Sequence, residues 1–552
     1  MAGRGAHLDG VWWKDAVIYQ IYPWSFQDSN GDGIGDLPGI ISRLDYLNGT
    51  PESLGVDAIW LSPIYPSPMK DFGYDVADYC DIDPRFGTLA DFDRLLAEAH
   101  RRGIRVLMDL VLNHTSDQHA WFQESRSSRF SPKRDWYFWA DPGPYGGRPS
   151  NWKAVFGGSA WEWDQRTRQY YLHSFLKEQP DLNWAHPDVQ KAMYEVVRFW
   201  LDRGVDGFRL DAINWIGKDR SWPHNPRKLA LRSYLRQIHR YDRDQPFTHE
   251  VLRLLRTWTN GYADAVMVGE ASSDTPGGPH AFYGDGADEL QMVFNFRLLK
   301  TSWDPQVFRR LIQEWDAAVP AGGWPTQVLS NHDQSRHATR YGAGVDGPTA
   351  ERRARAAALL LLTLRGTPFL YYGEEIGMRD VRLRYRQLRD PYTRRYWPFL
   401  RGRDPARTPM QWEASMRAGF TSGQPWLPVS PDVEHVNVDR ERRDDASLLS
   451  LYRRLIRLRR GSRALTSGTY RDIRGGPLGC LTYLREAGDP NPERMFVAVN
   501  FTPRAQAVSL PLTGARGTVV LSTRTTTPLG PLSSARMTLA PEEGVVVRLD
   551  GS

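Results

Sequence analysis

Four acidic residues stand where a buried strand would end. Asp109, Asp211, Glu270 and Asp333 each close a short apolar run, over 106–109, 207–211, 266–270 and 328–333. A carboxylate is costly beside buried backbone. Four of them at similar strand positions imply strands that converge on one polar site. Two carboxyl groups on opposite sides of a glycosidic bond can hydrolyse it. One attacks or activates water, and the other protonates the departing oxygen. Their separation is not readable from sequence, so retention and inversion both stay open on this ground. Arg209 lies two residues before Asp211 and would share its strand face. A guanidinium there is expected to lower the Asp211 pKa and keep it ionised. Glu270 would need a raised pKa to hold its proton.

The elements that must carry these residues are eight strand-like runs, at 16–22, 58–61, 105–111, 205–210, 265–268, 291–296, 327–330 and 368–372. Helical stripes lie between them. Leu37, Ile40, Ile41, Leu44 and Leu47 form one, Leu89, Phe92, Leu95, Leu96 and Ala99 another, and Val189, Met193, Val196, Val197 and Trp200 a third. This alternation predicts the α/β class, with a parallel sheet closed into a (β/α)₈ TIM barrel. Two stretches break it. Residues 115–183, rich in Trp, Gly and Pro, are too long for a crossover and read as an inserted subdomain. From about residue 466 short β runs separated by turns predict a C-terminal all-β sandwich. The expected domains are therefore 1–114 with 184–465 (barrel), 115–183 (insert) and 466–552 (sandwich).

Composition narrows the function classes. The 552 residues imply two or three folding units. The 21 Trp and 24 Tyr suit flat packing against sugar rings, although core packing uses them too. The formal charge of +6 is small for this length, and arginines are interspersed with acids, as in 439–445. No nucleic-acid partner is expected on that basis. Cys80 and Cys480 form no disulfide framework or zinc spacing. The start of the chain lacks signal-peptide character, and no apolar run could span a bilayer. A cytoplasmic protein with no membrane association is expected.

Several motifs, in order, resemble those of the α-amylase superfamily of glycoside hydrolases (glycoside hydrolase family 13), nearest to α-glucosidases and oligo-1,6-glucosidases. Asp109-Leu110-Val111-Leu112-Asn113-His114 resembles the third-strand motif. Gly207-Phe208-Arg209-Leu210-Asp211-Ala212 is similar to the nucleophile motif, Gly269-Glu270-Ala271 to the acid/base motif, and Asn331-His332-Asp333 to the stabiliser motif. Gln179-Pro180-Asp181-Leu182-Asn183 looks like the glucosidase form of the insert. The resemblance implies Asp211 as nucleophile, Glu270 as acid then base, Asp333 as transition-state stabiliser, and retention through a covalent glucosyl–enzyme intermediate. It further implies a glucose pocket of Asp71, Tyr74, His114, Phe175, Gln179, Arg209, His332 and Arg407.

The segment 28–36, Asp-Ser-Asn-Gly-Asp-Gly-Ile-Gly-Asp, starts like a calcium loop, with oxygens at alternate positions and glycines at the bend. Gly39 stands where an EF-hand needs a bidentate glutamate, so a calcium sensor is not expected. The resemblance implies a structural calcium held by Asp28, Asn30, Asp32, Asp36 and the Ile34 carbonyl. Magnesium, or a metal-free turn, remains open.

The resemblance also ties Ala212, beside the nucleophile, to a preference for α-1,4 links, where valine accompanies α-1,6. The expected activity is exo-acting hydrolysis of terminal glucose from maltose and short oligosaccharides, with transglycosylation as a side reaction. The alternatives are an oligo-1,6-glucosidase, a trehalose synthase or sucrose isomerase, and, remotely, a non-catalytic transporter subunit.

Overall fold

The computed structural model describes residues 10–550 apart from 273, 275–277, 286, 401 and 512–515. Eight parallel strands close on themselves: β1 (Ile18–Ile21), β2 (Ala58–Leu61), β3 (Arg105–Val111), β4 (Gly207–Asp211), β5 (Val266–Gly269), β6 (Met292–Val293), β7 (Trp324–Val328) and β8 (Thr367–Tyr371). Each pairs with its neighbour in sequence, and β8 closes on β1. Each of the eight runs read from sequence overlaps a barrel strand, although 327–330 meets Trp324–Val328 only at that strand's last two residues. Their near-continuous apolar character follows from burial on both faces.

Local signals set the outer helices. Thr88 and Asp91 form a reciprocal capping box at the start of Leu89–Arg101. Helix Pro187–Arg203 ends at Gly204, whose φ of 105° terminates it in a left-handed turn. The 37–47 stripe is two short helices, Leu37–Ser42 and Leu44–Leu47, broken at Arg43. The period was right, but the helix is interrupted.

The insert holds a three-stranded antiparallel sheet of Trp139–Ala140, Trp161–Asp164 and Gln169–Leu172, with the last strand central. Phe138, Trp152, Trp161 and Leu172 form its own small core. Its two ends meet at a bridge between His114 and Asp181. Near the C-terminus a six-stranded antiparallel sheet packs with a two-stranded one over Cys480, Leu484, Phe496, Val508, Leu539 and Val547. Its strand Thr469–Asp472 escaped the sequence reading because it is polar and half exposed.

Two segments on the carboxyl side of the barrel far exceed a usual crossover. After β4 the next α-helix begins at Pro246, and after β8 the described residues up to Asn437 hold one short α-helix, Pro391–Tyr396. Both segments lie on the face where barrel enzymes build their sites. Among the described residues no helix is long and apolar enough to cross a membrane.

Arg485 ties the sandwich to the barrel and Arg459 braces the chain that leads into it, both buried and, among the described residues, without a carboxylate partner. Arg485 donates to the carbonyls of Thr363 and Thr466 at 2.6 and 3.2 Å and of Gly468 at 2.9 Å. Arg459 donates to those of Leu465 and Gly366 at 2.8 and 2.6 Å. Thr363 ends helix Gly347–Thr363, where a cation meets the negative end of the helix dipole. Replacing Arg485 by Met should leave several buried carbonyls unpaired and cost about 3 kcal/mol or more. Equilibrium denaturation measures this, and unchanged stability would refute the role.

Candidate active site

Strand register sets the site. In the β3–β4 ladder Asp109 lies opposite Arg209 and Val111 opposite Asp211. In β4–β5, Arg209 lies opposite Val268 and Leu210 opposite Gly269, so Glu270 stands one step past β5. The Glu270 N–H still donates to the Leu210 carbonyl at 2.9 Å. The period of two along β4 puts Arg209 and Asp211 on one face, as expected.

The Arg209 guanidinium joins the three acids. Nη1 donates to Asp109 Oδ1 and to Asp211 Oδ1, both at 2.7 Å. Nη2 donates to Glu270 Oε2. Exposure separates their roles. The Asp109 and Arg209 side chains are 0 and 1% exposed, whereas those of Asp211, Glu270 and Asp333 are 10, 24 and 27%. A sugar can therefore reach the last three and not Asp109.

Asp333 follows β7 on a turn in which Asn331 Oδ1 accepts the Asp333 and Gln334 N–H groups, both at 3.0 Å. Arg407 Nη2 donates to Asp333 Oδ1 at 2.9 Å, and its Nε donates to the His332 carbonyl at 2.7 Å. His332 stacks on Tyr74, with ring centroids 5.6 Å apart. Burial lowers the His332 pKa to about 3, so the ring is neutral. Gln20 Nε2 donates to Nδ1 at 2.7 Å. The tautomer assigned from this network carries its proton on Nε2 and donates to the Tyr74 hydroxyl, also at 2.7 Å. Tyr74 in turn donates to Asp109 Oδ2 at 3.1 Å. One directed chain thus runs from β1 to the carboxylate that anchors Arg209.

The remaining expected residues complete the wall. His114, buried and lowered to about pKa 4, lies 3.2 Å from the Tyr74 carbonyl through Nε2. Its ring centroid is 5.1 Å from that of Phe175, which meets Trp215 at 5.2 Å. Gln179 Nε2 donates to Asp71 Oδ2 at 3.2 Å. All eleven catalytic and pocket residues expected from sequence therefore belong to one connected network.

Sequence reasoning missed Arg403. Its Nη2 donates to Asp71 Oδ1 at 2.7 Å and Asp390 Oδ1 at 2.6 Å, and Nη1 lies 3.5 Å from Asp333 Oδ1. It therefore links Asp71, in the loop after β2, to Asp333. Its place four residues before Arg407, amid acids and a proline, was the available signal.

The expected pKa pattern needs correction. Burial raises Asp211 well above the usual carboxylate range. Arg209 opposes this, and the Glu270 and Asp109 charges add to it. Asp109 rises to about 6, mainly through burial. One guanidinium cannot neutralise three carboxylates, so the cluster retains a proton to higher pH and titrates as a unit. The Arg209 contact alone suggested an ionised Asp211, because it left out the other two acids. Asp333 differs. Burial pushes its pKa up, but His332, Arg403 and Arg407 together hold it well below the usual range.

At the polar loop, Asp28, Asn30 and Asp32 each accept the backbone N–H two residues on, at 2.9, 2.8 and 2.8 Å. These turns curl alternate oxygens along one side, which is suitable donor chemistry for a hard cation. Asp28 also accepts the N–H groups of Gly31 and Gly33 at 2.8 Å, and Asp36 those of Ser29 and Gly39, the latter as a helix cap. Among the described residues no group of three His, Cys, Asp or Glu side chains could hold a metal ion as they stand.

The family model for the alpha-amylase catalytic domain matches residues 20–468. A probable alpha-glucosidase of Rhizobium meliloti (strain 1021) is 46% identical over 91% of this chain and 92% of its own length. An oligo-1,6-glucosidase of Parageobacillus thermoglucosidasius is 42% identical over 91% and 93%. The crystal structure of an alpha-glucosyl transfer enzyme, XgtA, superposes with a TM-score of 0.90 at 42% identity, covering 97% of this chain and 99% of that one.

A carboxylate must be ionised to attack, so a reaction that uses Asp211 in the expected role of nucleophile should slow as pH drops through its raised pKa. Asp109→Asn removes one charge that raises it. The acid limb of kcat/KM on an aryl α-glucoside should then move to lower pH. An unmoved limb in a folded variant would refute the shared-proton reading.

Proposed function

This chain belongs to the alpha-amylase family of glycoside hydrolases, and from that premise we propose that it is a retaining, exo-acting α-glucosidase. Its proposed substrates are maltose and short oligosaccharides with a terminal, non-reducing α-1,4-linked glucose. The carrying observation is the single guanidinium bonded to both Asp211 and Glu270, the carboxyl groups most suited to nucleophile and acid.

In the proposed cycle the glucose sits against Asp71, Tyr74, His114 and His332, its anomeric carbon facing Asp211. Glu270 passes its proton to the glycosidic oxygen as Asp211 forms the bond to C1, releasing the aglycone. Glu270 then takes a proton from water, which attacks C1 and frees Asp211. Asp333, held ionised by its cationic neighbours, faces the positive charge that develops on the ring. The proton kept by the carboxylate cluster is available for the first step once the sugar displaces Arg209 contacts.

Ala212 supports the α-1,4 preference. Its backbone is left-handed, with φ 48° and ψ 40°. A β-branched valine is strained in that conformation, and alanine leaves room beside the scissile bond. One such contact is worth about 1–3 kcal/mol, so discrimination against α-1,6 links is expected to be partial.

Likeness to an alpha-glucosyl transfer enzyme favours glucosyl transfer to a sugar acceptor as the second reading. Trehalose synthesis and sucrose isomerisation are variants of it in which the released sugar is recaptured. Product analysis on maltose separates these, since hydrolysis yields free glucose and isomerisation yields trehalose.

The proposal includes a structural calcium, or magnesium, at 28–36, held by Asp28, Asn30, Asp32 and the Ile34 carbonyl. Asp36 would have to leave its cap contacts to join them. Calcium at about 100 times its Kd should stabilise the folded protein by about 2.7 kcal/mol. An unchanged Tm between chelator and calcium would discard the cation.

Asp211→Ala should lower turnover of maltose by about 10⁴-fold or more, by analogy with the loss of other covalent nucleophiles, with the fold intact. Turnover at the wild-type rate would end the assignment. A panel of maltose, isomaltose, trehalose and sucrose then ranks the linkages.

A further inference from the structure

The charge of this protein is not evenly spread, contrary to the expectation drawn from its composition. Two stretches on the carboxyl face of the barrel are cationic. Residues 227–240, in the segment after β4, contain Arg227, Lys228, Arg232, Arg236 and Arg240 and no acid. Residues 381–396, in the segment after β8, contain Arg382, Arg384, Arg386, Arg389, Arg394 and Arg395. Their one acid is Asp390, which is buried and bonded to Arg403.

All eleven cations are exposed. Not one forms an ion pair with an Asp or Glu among the described residues. Elsewhere on the surface some arginines pair, as Arg101 does with Glu98, Arg203 with Asp93 and Arg443 with Asp439, and others such as Arg310 and Arg536 do not, so it is the clustering of eleven in two stretches that sets this face apart.

The two stretches touch each other and the glucose pocket. Arg232 Nη1 donates to the Tyr392 hydroxyl at 2.6 Å. The Tyr392 ring lies 5.4 Å from that of Phe156 in the insert, and Phe156 lies 6.0 Å from Phe175 of the pocket wall. A Cβ on Gly157 would come within 2.2 Å of the Tyr396 hydroxyl, so the insert and the 391–396 helix are in close contact. Arg403, which reaches Asp71 and Asp333 inside the pocket, follows the second stretch directly. The cations therefore lie on segments that meet the pocket wall at Phe156 and Phe175, on the carboxyl face of the barrel.

Leu229, Leu231 and Phe399 are almost fully exposed on the same segments, and Trp397 is partly so. A uniformly positive rim over low-dielectric walls concentrates anions at its mouth. Neutral maltose is not concentrated by such a rim.

Building on the α-glucosidase reading, the geometry points to an anionic aglycone or acceptor: a glucoside whose non-glucose part carries a phosphate or carboxylate group. The bond broken remains the one between C1 and the aglycone oxygen. Water or an acceptor hydroxyl supplies the new bond to C1, and the anion is a spectator held by the rim. The two sources of charge are a phosphorylated sugar and a carboxylated, partly apolar aglycone, which the exposed Leu and Phe side chains would flank.

The test uses matched pairs with the full-length enzyme: trehalose against trehalose 6-phosphate, and phenyl against 4-carboxyphenyl α-glucoside. At low ionic strength kcat/KM for one charged member should exceed that of its neutral partner by about fivefold or more, and the excess should vanish as salt shortens the Debye length from about 30 Å to below 10 Å. Which pair responds identifies the source. Arg394→Gln/Arg395→Gln and Arg227→Gln/Lys228→Gln should each reduce the excess while leaving the neutral substrates unchanged.

Equal, salt-independent values within both pairs would overturn the proposal. So would binding of heparin or RNA through these arginines without any preference for charged glucosides, since the rim would then serve a polymer. Failure to cleave any α-glucoside would strike the underlying activity instead, so the two failures are distinguishable.

Discussion

The site depends on one guanidinium that must serve three carboxylates. Arg209 is buried and cannot lose its charge under ordinary conditions, so it gives a fixed positive point around which β3, β4 and β5 bring their acids. A buried cation is tolerable only when paired, and buried carboxylates only when neutralised. Each therefore justifies the other, and the cluster as a whole is still short of positive charge. That shortage has chemical value. It keeps a proton among groups that would otherwise all be ionised near neutrality, and general acid catalysis needs such a proton.

A second cationic centre solves a different problem. Arg403 and Arg407 flank Asp333 so that, despite burial, this carboxyl stays ionised. The two centres sort four acids into two functions by the ratio of nearby cations to anions. Around Arg209 there is one cation for three acids. Around Asp333 there are two guanidinium groups, and Asp71 and Asp390 are shared with Arg403 alone. Proton storage and permanent negative charge thus coexist in one pocket.

Much of this was legible in the sequence, for identifiable reasons. Strands buried on both faces are written as continuous apolar runs, so the eight barrel strands could be found and the acids that end them ranked. Arg209 and Asp211 shared a face because the strand period is two. The direction of the Asp211 pKa could not be read in the same way. It depends on Glu270 and Asp109 arriving from other strands, and a local reading counts only the nearest cation. Arg403 was hidden for a related reason. It lies in a long irregular segment with no periodicity to announce where its side chain would go. The cationic rim was concealed by averaging, since a net charge of +6 over the whole chain says nothing about two stretches that the fold brings together.

The two halves of the site are built differently, and this bears on how specificity is set. The glucose side joins residues at strand ends to others from the loop after β2, the insert and the segment after β8, and fixes them by buried ion pairs, by Gln179 with Asp71 and by the Gln20–His332–Tyr74–Asp109 chain. A change there disturbs partners on several strands and carries a high cost. The aglycone side is edged by the exposed stretches 227–240 and 381–396, which meet each other through Arg232 with Tyr392 and meet the insert through Tyr392 with Phe156. Residues on it can change without unsettling the barrel. Chains that share the glucose half can therefore differ in the partner from which they take glucose or to which they pass it. On this chain two stretches of that half, 227–240 and 381–396, carry eleven exposed cations and one buried acid. Mutual repulsion among unpaired cations costs stability unless something negative is bound there, so the charge is better understood as a property of the ligand side than of the fold.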